Sequence, residues 1–173
     1  MRTSIACLIL ALVAVSSSHA QGDAAAKPRP CTTPEYRQFD FWLGDWNVKD
    51  ASGKAVGSNH LVAMHGGCVM RESWASTGDA VTGSSLTGYD KEHGSWHQTW
   101  MDSGGGVLQL DGHWRDGRMI LEGDSLDGPS RKTTQNRVSW IPLSDGRVRQ
   151  WWQQSTDGGK TWTTAFDGFY TRQ

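Results

Sequence analysis

Three short motifs place a carboxylate or a side-chain amide two residues before a tryptophan. They are Glu72-x-Trp74, Gln98-x-Trp100 and Gln150-x-Trp152. Residues i and i+2 of a β-strand share one face of the sheet, so each polar group is expected beside its own indole ring. A carboxyl group among apolar neighbours orients a ligand or exchanges a proton with it. The motifs therefore predict a tryptophan-walled site in which Glu72 is the candidate acid or base.

Apolar residues at even-numbered positions extend this face onto other candidate strands. They are Leu86, Leu108, Leu110, Ile120 and Trp140, and Glu122 has the same parity. We expect this face to point inward and to hold a small, mainly apolar molecule, with burial raising the pKa of Glu72. The predicted ligand-binding residues are Glu72, Trp74, Gln98, Trp100, Glu122, Trp140, Gln150 and Trp152. The alternative is a solid interior, in which the polar groups bond to one another and the tryptophans fill the space.

The elements that position these residues are short runs rich in Val, Thr, Trp and Tyr, separated by Gly, Asp or Asn. The ten predicted strands are Trp42–Lys49, Ser58–Met64, Val69–Ser76, Ser84–Tyr89, Trp96–Met101, Val107–Trp114, Met119–Asp124, Thr133–Ile141, Val148–Gln154 and Trp162–Thr171. Pairs such as Asp116-Gly117 and Asp145-Gly146 are typical of tight hairpins, because glycine adopts positive φ without strain.

Consecutive hairpins without a long helical segment predict an all-β fold, an antiparallel up-and-down meander of about ten strands. Closure into a barrel removes the exposed edges of such a sheet. A barrel of this size has room for a small ligand. A two-layer sandwich is the alternative architecture.

The stretch from Phe39 to Trp46 carries four aromatic residues and a leucine in eight positions, so it must be buried. It follows a run, Pro34 to Gln38, that is expected to form one short helical turn. Trp46 stands two residues after Gly44 at the start of the first predicted strand. We expect its ring to close one end of the barrel.

The first twenty residues are typical of a secretory signal peptide. Arg2 supplies the positive charge, residues 5–15 are apolar and uncharged, and small residues precede Gln21. We expect a periplasmic or secreted protein with a flexible arm over residues 21–30 and a single domain over residues 31–173. The chain has 17 basic and 18 acidic side chains with no basic cluster, which argues against nucleic-acid binding. The rest of the sequence has no second long apolar run, so it predicts no membrane-spanning segment.

Cysteine usage agrees with export. Cys7 lies in the predicted signal, so Cys31 and Cys68 remain as a pair in an oxidising compartment, and we expect a disulfide between them. Two free thiols or a metal-binding pair are the alternatives.

Several motifs together resemble a bacterial family of exported proteins of unknown function. They are Cys31, the segment Pro34-Glu35-x-x-Gln38-Phe39-Asp40-Phe41-Trp42-Leu43-Gly44-x-Trp46, Gly66-Gly67-Cys68, Asp157-Gly158-Gly159-x-Thr161-Trp162 and Phe166-Asp167-Gly168-x-Tyr170. The resemblance covers nearly the whole chain after the signal. It implies a calycin-like barrel, similar to lipocalins and to haem-binding nitrobindins, and no agreed activity. By analogy with lipocalins, Arg172 is expected to stack on Trp46.

Three further patterns have competing interpretations. Haem binding of the nitrobindin kind requires a proximal histidine, and the last strand has none, so we expect no cofactor, with haem as the minor alternative. The histidines His60, His65, His93, His97 and His113 lack metal-binding spacing. Ser155-x-Asp157-x-Gly159 fits one Asp-box and is interpreted as a braced hairpin.

An enzyme working from the barrel mouth through Glu72 is the functional alternative to a binding protein, and a solid-core structural or interaction module is another.

Overall fold

The computed structural model describes residues 30–78, 80–126 and 128–173. The predicted signal peptide and all but the last residue of the predicted arm lie outside these residues. Ten strands follow two short 3₁₀ turns, Pro34–Arg37 and Asp40–Trp42. The strands are β1 (Gly44–Asp50), β2 (Ala55–Met64), β3 (Val69–Ser76), β4 (Thr82–Asp90), β5 (Ser95–Asp102), β6 (Val107–Arg115), β7 (Arg118–Leu126), β8 (Thr133–Pro142), β9 (Val148–Ser155) and β10 (Thr163–Arg172). Another 3₁₀ turn, His65–Gly67, joins β2 to β3.

The ten strands form one closed antiparallel barrel in which each strand pairs with its neighbours in the chain. Pairing of β1 with β10 closes the cylinder, in a register that sets Trp46 opposite Arg172. The predicted up-and-down barrel is therefore confirmed, and the sandwich alternative is wrong. Every predicted strand is present, and its ends agree with the structure to within three residues.

The tight turns show why this chain forms hairpins. Asp116 and Gly117 join β6 to β7 with φ values of 52° and 73°. Positive φ at both central positions matches the twist of the flanking strands, and glycine and aspartate tolerate it best. Asp157 braces the β9–β10 turn, where it accepts hydrogen bonds from the backbone N–H groups of Lys160 and Thr161, each at 3.0 Å. The interpretation of this motif as a braced hairpin is confirmed.

One end of the barrel is filled by aromatic rings. Phe39 and Trp42, from the segment before β1, are 1% and 0% exposed. Phe39 stacks on Trp42 with ring centroids 5.2 Å apart and meets Trp140 edge to face at the same distance. Trp46 is also fully buried, 6.3 Å from the ring of Tyr170. This closed end forms the aromatic part of the core, and the other end of the barrel is open.

The disulfide between Cys31 and Cys68 is present, with the two Cα atoms 5.1 Å apart. It ties the segment before the first 3₁₀ turn to the β2–β3 connection. Arg37 reinforces this attachment, because its guanidinium donates a hydrogen bond to the carbonyl oxygen of Gly67. The residues that precede the aromatic segment are thereby tied to the β2–β3 connection at two points.

The predicted inward face is correct on most strands and wrong on two. Leu108, Leu110 and Trp140 are buried in the core as expected. On β4, Leu86 is 52% exposed and lies on the outer face, while Ser85 and Thr87 point inward. On β7 the inward residues are Met119 and Leu121. Ile120 is buried on the opposite face, outside the core cluster, and Glu122 is exposed.

Candidate functional site

A cavity of about 590 Å³ occupies the open half of the barrel. Its volume is within the range of small-molecule sites. Its walls are aromatic and aliphatic, and the residues that form them are Trp74, Trp100, Trp152, Phe166, Tyr170, Leu108, Leu110 and Val138. Its polar lining residues include Glu72, Gln98, Gln150, Gln154, Ser125 and Asp102. The interior is therefore not packed solid, contrary to the solid-core alternative.

Six of the eight predicted ligand-binding residues line this one cavity: Glu72, Trp74, Gln98, Trp100, Gln150 and Trp152. Trp140 faces the interior but belongs to the closed aromatic end, below the cavity. The inward orientation predicted for Glu122 is wrong. Its carboxylate lies on the outer surface, 2.6 Å from Nε of Arg137 and 3.4 Å from Nη2 of Arg115.

Glu72 is the buried carboxyl group of the cavity and is 4% exposed. Its Oε1 accepts a hydrogen bond of 2.7 Å from Nδ2 of Asn59 on β2. Its Oε2 accepts one of 2.6 Å from the hydroxyl of Ser85 on β4. Burial raises the pKa of Glu72 to about 7, against the lowering effect of these two donors. The group is therefore able to gain or lose a proton near neutral pH.

The other polar groups at the cavity floor are held by the protein. Nε2 of Gln98 donates to the hydroxyl oxygens of Thr87 and Ser85, at 3.1 and 3.3 Å. The hydroxyl of Tyr170 donates to Oε1 of Gln150. Burial, together with the nearby charge of Glu72, raises the pKa of Tyr170 well above its usual value, so the phenol stays protonated. These bonds fix the floor before any ligand arrives.

Glycines on neighbouring strands give the aromatic walls their shape. A Cβ atom at Gly57 would lie 2.5 Å from the ring of Trp74, and one at Gly83 would lie 2.2 Å from the ring of Trp100. Each indole therefore lies directly over a glycine of the adjacent strand, a space that any larger residue would fill. Trp74 and Phe166 then meet edge to face, with centroids 6.1 Å apart.

The orientation of Trp152 is set by Asn136, a residue that does not itself line the cavity. Asn136 on β8 is 1% exposed, and its Oδ1 accepts hydrogen bonds of 3.0 Å from Nε1 of Trp152 and from Nε2 of Gln154. Its Nδ2 donates to the Ser125 hydroxyl at 2.9 Å. One amide on β8 thus fixes three lining residues, two on β9 and one on β7.

The mouth of the cavity combines exposed aliphatic residues with one carboxylate. Val81, Val107 and Leu126 are 39%, 56% and 54% exposed and line the opening. Asp102 ends β5 and accepts hydrogen bonds from the backbone of the glycine loop that follows, which lowers its pKa. It also accepts a bond of 3.3 Å from Nε1 of Trp100.

At the closed end, Arg172 lies over the Trp46 ring, with its Cζ 4.3 Å from the ring centroid. Its guanidinium donates to the carbonyl oxygen of Leu43 at 3.0 Å. Gly44 has a φ of 125°, and a Cβ atom there would lie 2.5 Å from Nη1 of Arg172. The glycine two residues before Trp46 therefore serves both the backbone conformation and the approach of the arginine.

The histidines do not contribute to this cavity. None of its lining residues, all within the described part of the chain, is a histidine. His97 bonds on the outer surface to Asp111 and Thr99, at 2.8 and 2.9 Å. Within residues 30–78, 80–126 and 128–173, no group of three or more metal-binding side chains is arranged around a common point.

Several lining residues were not singled out from the sequence. Phe166, Gly168 and Tyr170 are alternate residues of β10 and therefore share one face. The alternation of apolar residues along this strand could have identified Phe166 and Tyr170 as inward-facing. Val138 lies two residues before Trp140 on β8 and shares its even-numbered parity, so the same alternation pointed to it. Asp102 gave no signal beyond its position before a glycine-rich loop, which is equally typical of a simple turn.

No protein-family model matches the chain, and no curated protein matches it. In the described part of the chain, no helix has the length and apolar character to cross a membrane.

Proposed function

We propose that this protein binds a small, mainly apolar molecule inside its barrel. The observation that carries the proposal is the 590 Å³ cavity, whose walls are tryptophan, phenylalanine and leucine. Several of its polar groups lie together at the floor and are prearranged by the protein's own hydrogen bonds. A largely apolar cleft with a small number of fixed polar groups is the usual form of a ligand site.

The test uses the neutral fluorophore N-phenyl-1-naphthylamine, which brightens in apolar surroundings. The parent protein is expected to bind it saturably. Leu108→Trp places a large ring into the cavity and should weaken binding at least about tenfold, because the added volume occupies the site. Leu86→Trp is the matched control on the outer face and should bind as the parent does. Equal binding by both variants would contradict an interior site.

Native mass spectrometry of the protein purified from its own host addresses the natural ligand. A retained small molecule, lost in the Leu108→Trp protein and kept in Leu86→Trp, would support the proposal and supply the mass of the ligand.

We propose further that the protein works outside the cytoplasm, in the periplasm or after secretion. The apolar segment of residues 5–15 and the disulfide between Cys31 and Cys68 support this proposal. N-terminal sequencing of the protein from its host is expected to begin at Gln21. A mature chain that still begins with Met1 would contradict it. Membership of the exported calycin-like family also remains a proposal, supported by the closed barrel.

One observation favours a second candidate, an isomerase or hydrolase that works from the barrel mouth. A carboxyl group with a pKa of about 7 in an apolar cavity has the proton affinity that general acid–base catalysis requires. Turnover of a bound compound that is lost in Glu72→Gln, while the compound still binds, would identify the protein as an enzyme. If both proteins bind the compound and neither converts it, the binding function proposed first is favoured over an enzyme.

A further inference from the structure

The charges of the cavity are all of one sign. Glu72 lies at the floor and Asp102 at the mouth. None of the residues that line the cavity, all within the described chain, is lysine, arginine or histidine. A carboxylate or phosphate ligand would find no cation to pair with, and it would approach the two acidic groups in a region of low dielectric constant.

Several donors at the floor are already directed toward protein acceptors. Asn59 and Ser85 donate to Glu72, and the hydroxyl of Tyr170 donates to Gln150. Each oxygen of Glu72 accepts one of these bonds and has capacity for another. The floor therefore offers acceptor oxygens, and a ligand that is complementary to it brings N–H donors.

The walls consist largely of aromatic rings. The N–H group of Trp100 donates to Asp102, and that of Trp152 donates to Asn136. With their N–H groups engaged, these indoles offer the cavity ring carbons and not hydrogen-bond donors. The faces of aromatic rings attract cations, most strongly where water is excluded.

We propose that the ligand is an organic cation, an apolar body that carries a protonated amine. The amine lies at the floor, where its N–H groups donate to Glu72, and the body lies against Trp74, Trp100 and Trp152. This inference rests on the proposed binding function and names the chemical class of its ligand.

The test compares three compounds that share one ring system and differ in the charge of the head group. They are 1-naphthylmethylamine, 1-naphthalenemethanol and 1-naphthoate, titrated by calorimetry at pH 8 and low salt. The amine is expected to bind about tenfold or more tightly than the alcohol, and the carboxylate is expected to bind most weakly. In Glu72→Gln the ratio of amine to alcohol affinity should fall to within about threefold. Glu122→Gln, the same substitution on the outer face, should keep the parent ratio.

A second measurement needs no variant. In the protein without ligand, Glu72 is mostly protonated at pH 6, because burial raises its pKa to about 7. The groups that face it are Asn59 and Ser85, which do not titrate, and Tyr170, which stays protonated. Binding of the amine should therefore release close to one proton, measured by calorimetry in buffers of different ionisation enthalpy. Binding of the alcohol should release none.

The outcomes separate this inference from the proposed function. If the alcohol or the neutral fluorophore binds and the amine has no advantage, the cation inference is wrong and the binding function stands. Tightest binding by the carboxylate also contradicts the inference. If neither the fluorophore nor any of the three compounds binds, the proposed function fails and the inference fails with it.

Discussion

Replacement of Glu72 with glutamine should remove a specific dependence of stability on pH. In the folded protein, burial raises the pKa of Glu72 to about 7, whereas the ordinary value of the group is 4.5. Between these two pH values the folded state holds a proton that the unfolded state has lost. The free energy of unfolding therefore falls as the pH rises through this window. Below about pH 4.5 the stabilising contribution is complete, and above about pH 7 it has gone.

The size of the effect follows from the two pKa values. Each pKa unit corresponds to about 1.4 kcal/mol, so the gap between 4.5 and about 7 amounts to about 3 kcal/mol for one site. Glutamine has nearly the shape of the protonated side chain but does not titrate. Part of this loss occurs below pH 5, so from pH 5 to pH 8 the parent protein should lose about 2 to 3 kcal/mol of stability more than Glu72→Gln does.

The assay is urea unfolding of the ligand-free, disulfide-bonded protein, followed by tryptophan fluorescence at several pH values from 5 to 8. Other groups titrate in this range, including His93, whose pKa is raised by its hydrogen bond with Asp90. They are present in both proteins, so their effects cancel in the comparison. Glu122→Gln removes an exposed carboxylate and should follow the parent curve. Parallel pH dependence in the parent and Glu72→Gln would refute the assignment of Glu72 as a buried, neutral acid.

Three further predictions concern the closed end, the disulfide and the cavity wall. Trp46→Ala should lower the free energy of unfolding by about 3 to 5 kcal/mol, because it deletes a fully buried ring, and a melting temperature equal to that of the parent would contradict its role as a plug. Reduction of the bond between Cys31 and Cys68, which are 37 positions apart, should cost about 4 kcal/mol in the same urea assay, and an unchanged midpoint would show that the bond adds no stability. Gly83→Ala should weaken fluorophore binding by displacing the indole that lies 2.2 Å from the new methyl group, whereas Gly128→Ala, which meets no atom within 4 Å, should bind as the parent does.

The architecture was predictable because its signals are local. Alternating apolar residues and Asp-Gly turns identify strands and hairpins directly, and ten hairpin-linked strands leave few ways to protect their edges. The two-residue spacing of Glu72 and Trp74 placed both in the cavity for the same reason. Nothing local could show that glycines on neighbouring strands support the indole rings, because Gly83 and Trp100 are brought together only by the register of β4 with β5.

The prediction of which residues face inward failed on the two strands where apolar residues are not the ones that point into the barrel. On β4 the interior around Glu72 requires hydroxyl groups, so Ser85 points inward and Leu86 points to solvent. On β7 three consecutive apolar residues, Met119 to Leu121, give alternation no preferred phase. On this strand the pairing with β8 determines which residues point inward, because Met119 lies opposite Trp140 and Leu121 lies opposite Val138. That register placed Glu122 on the outside.

The contact that completes the cylinder joins the two ends of the described sheet. Leu43 and Arg172, which share a hydrogen bond, are 129 positions apart in the chain. Until β10 docks, β1 and β9 each present an unpaired edge that another chain is able to join. Such a long-range closure is slow, because the entropy of a large loop is lost before the contact forms. We therefore expect the sealing of this barrel to be a late folding event that depends on the last strand, and a chain that lacks β10 to keep an open sheet whose edges pair with other chains.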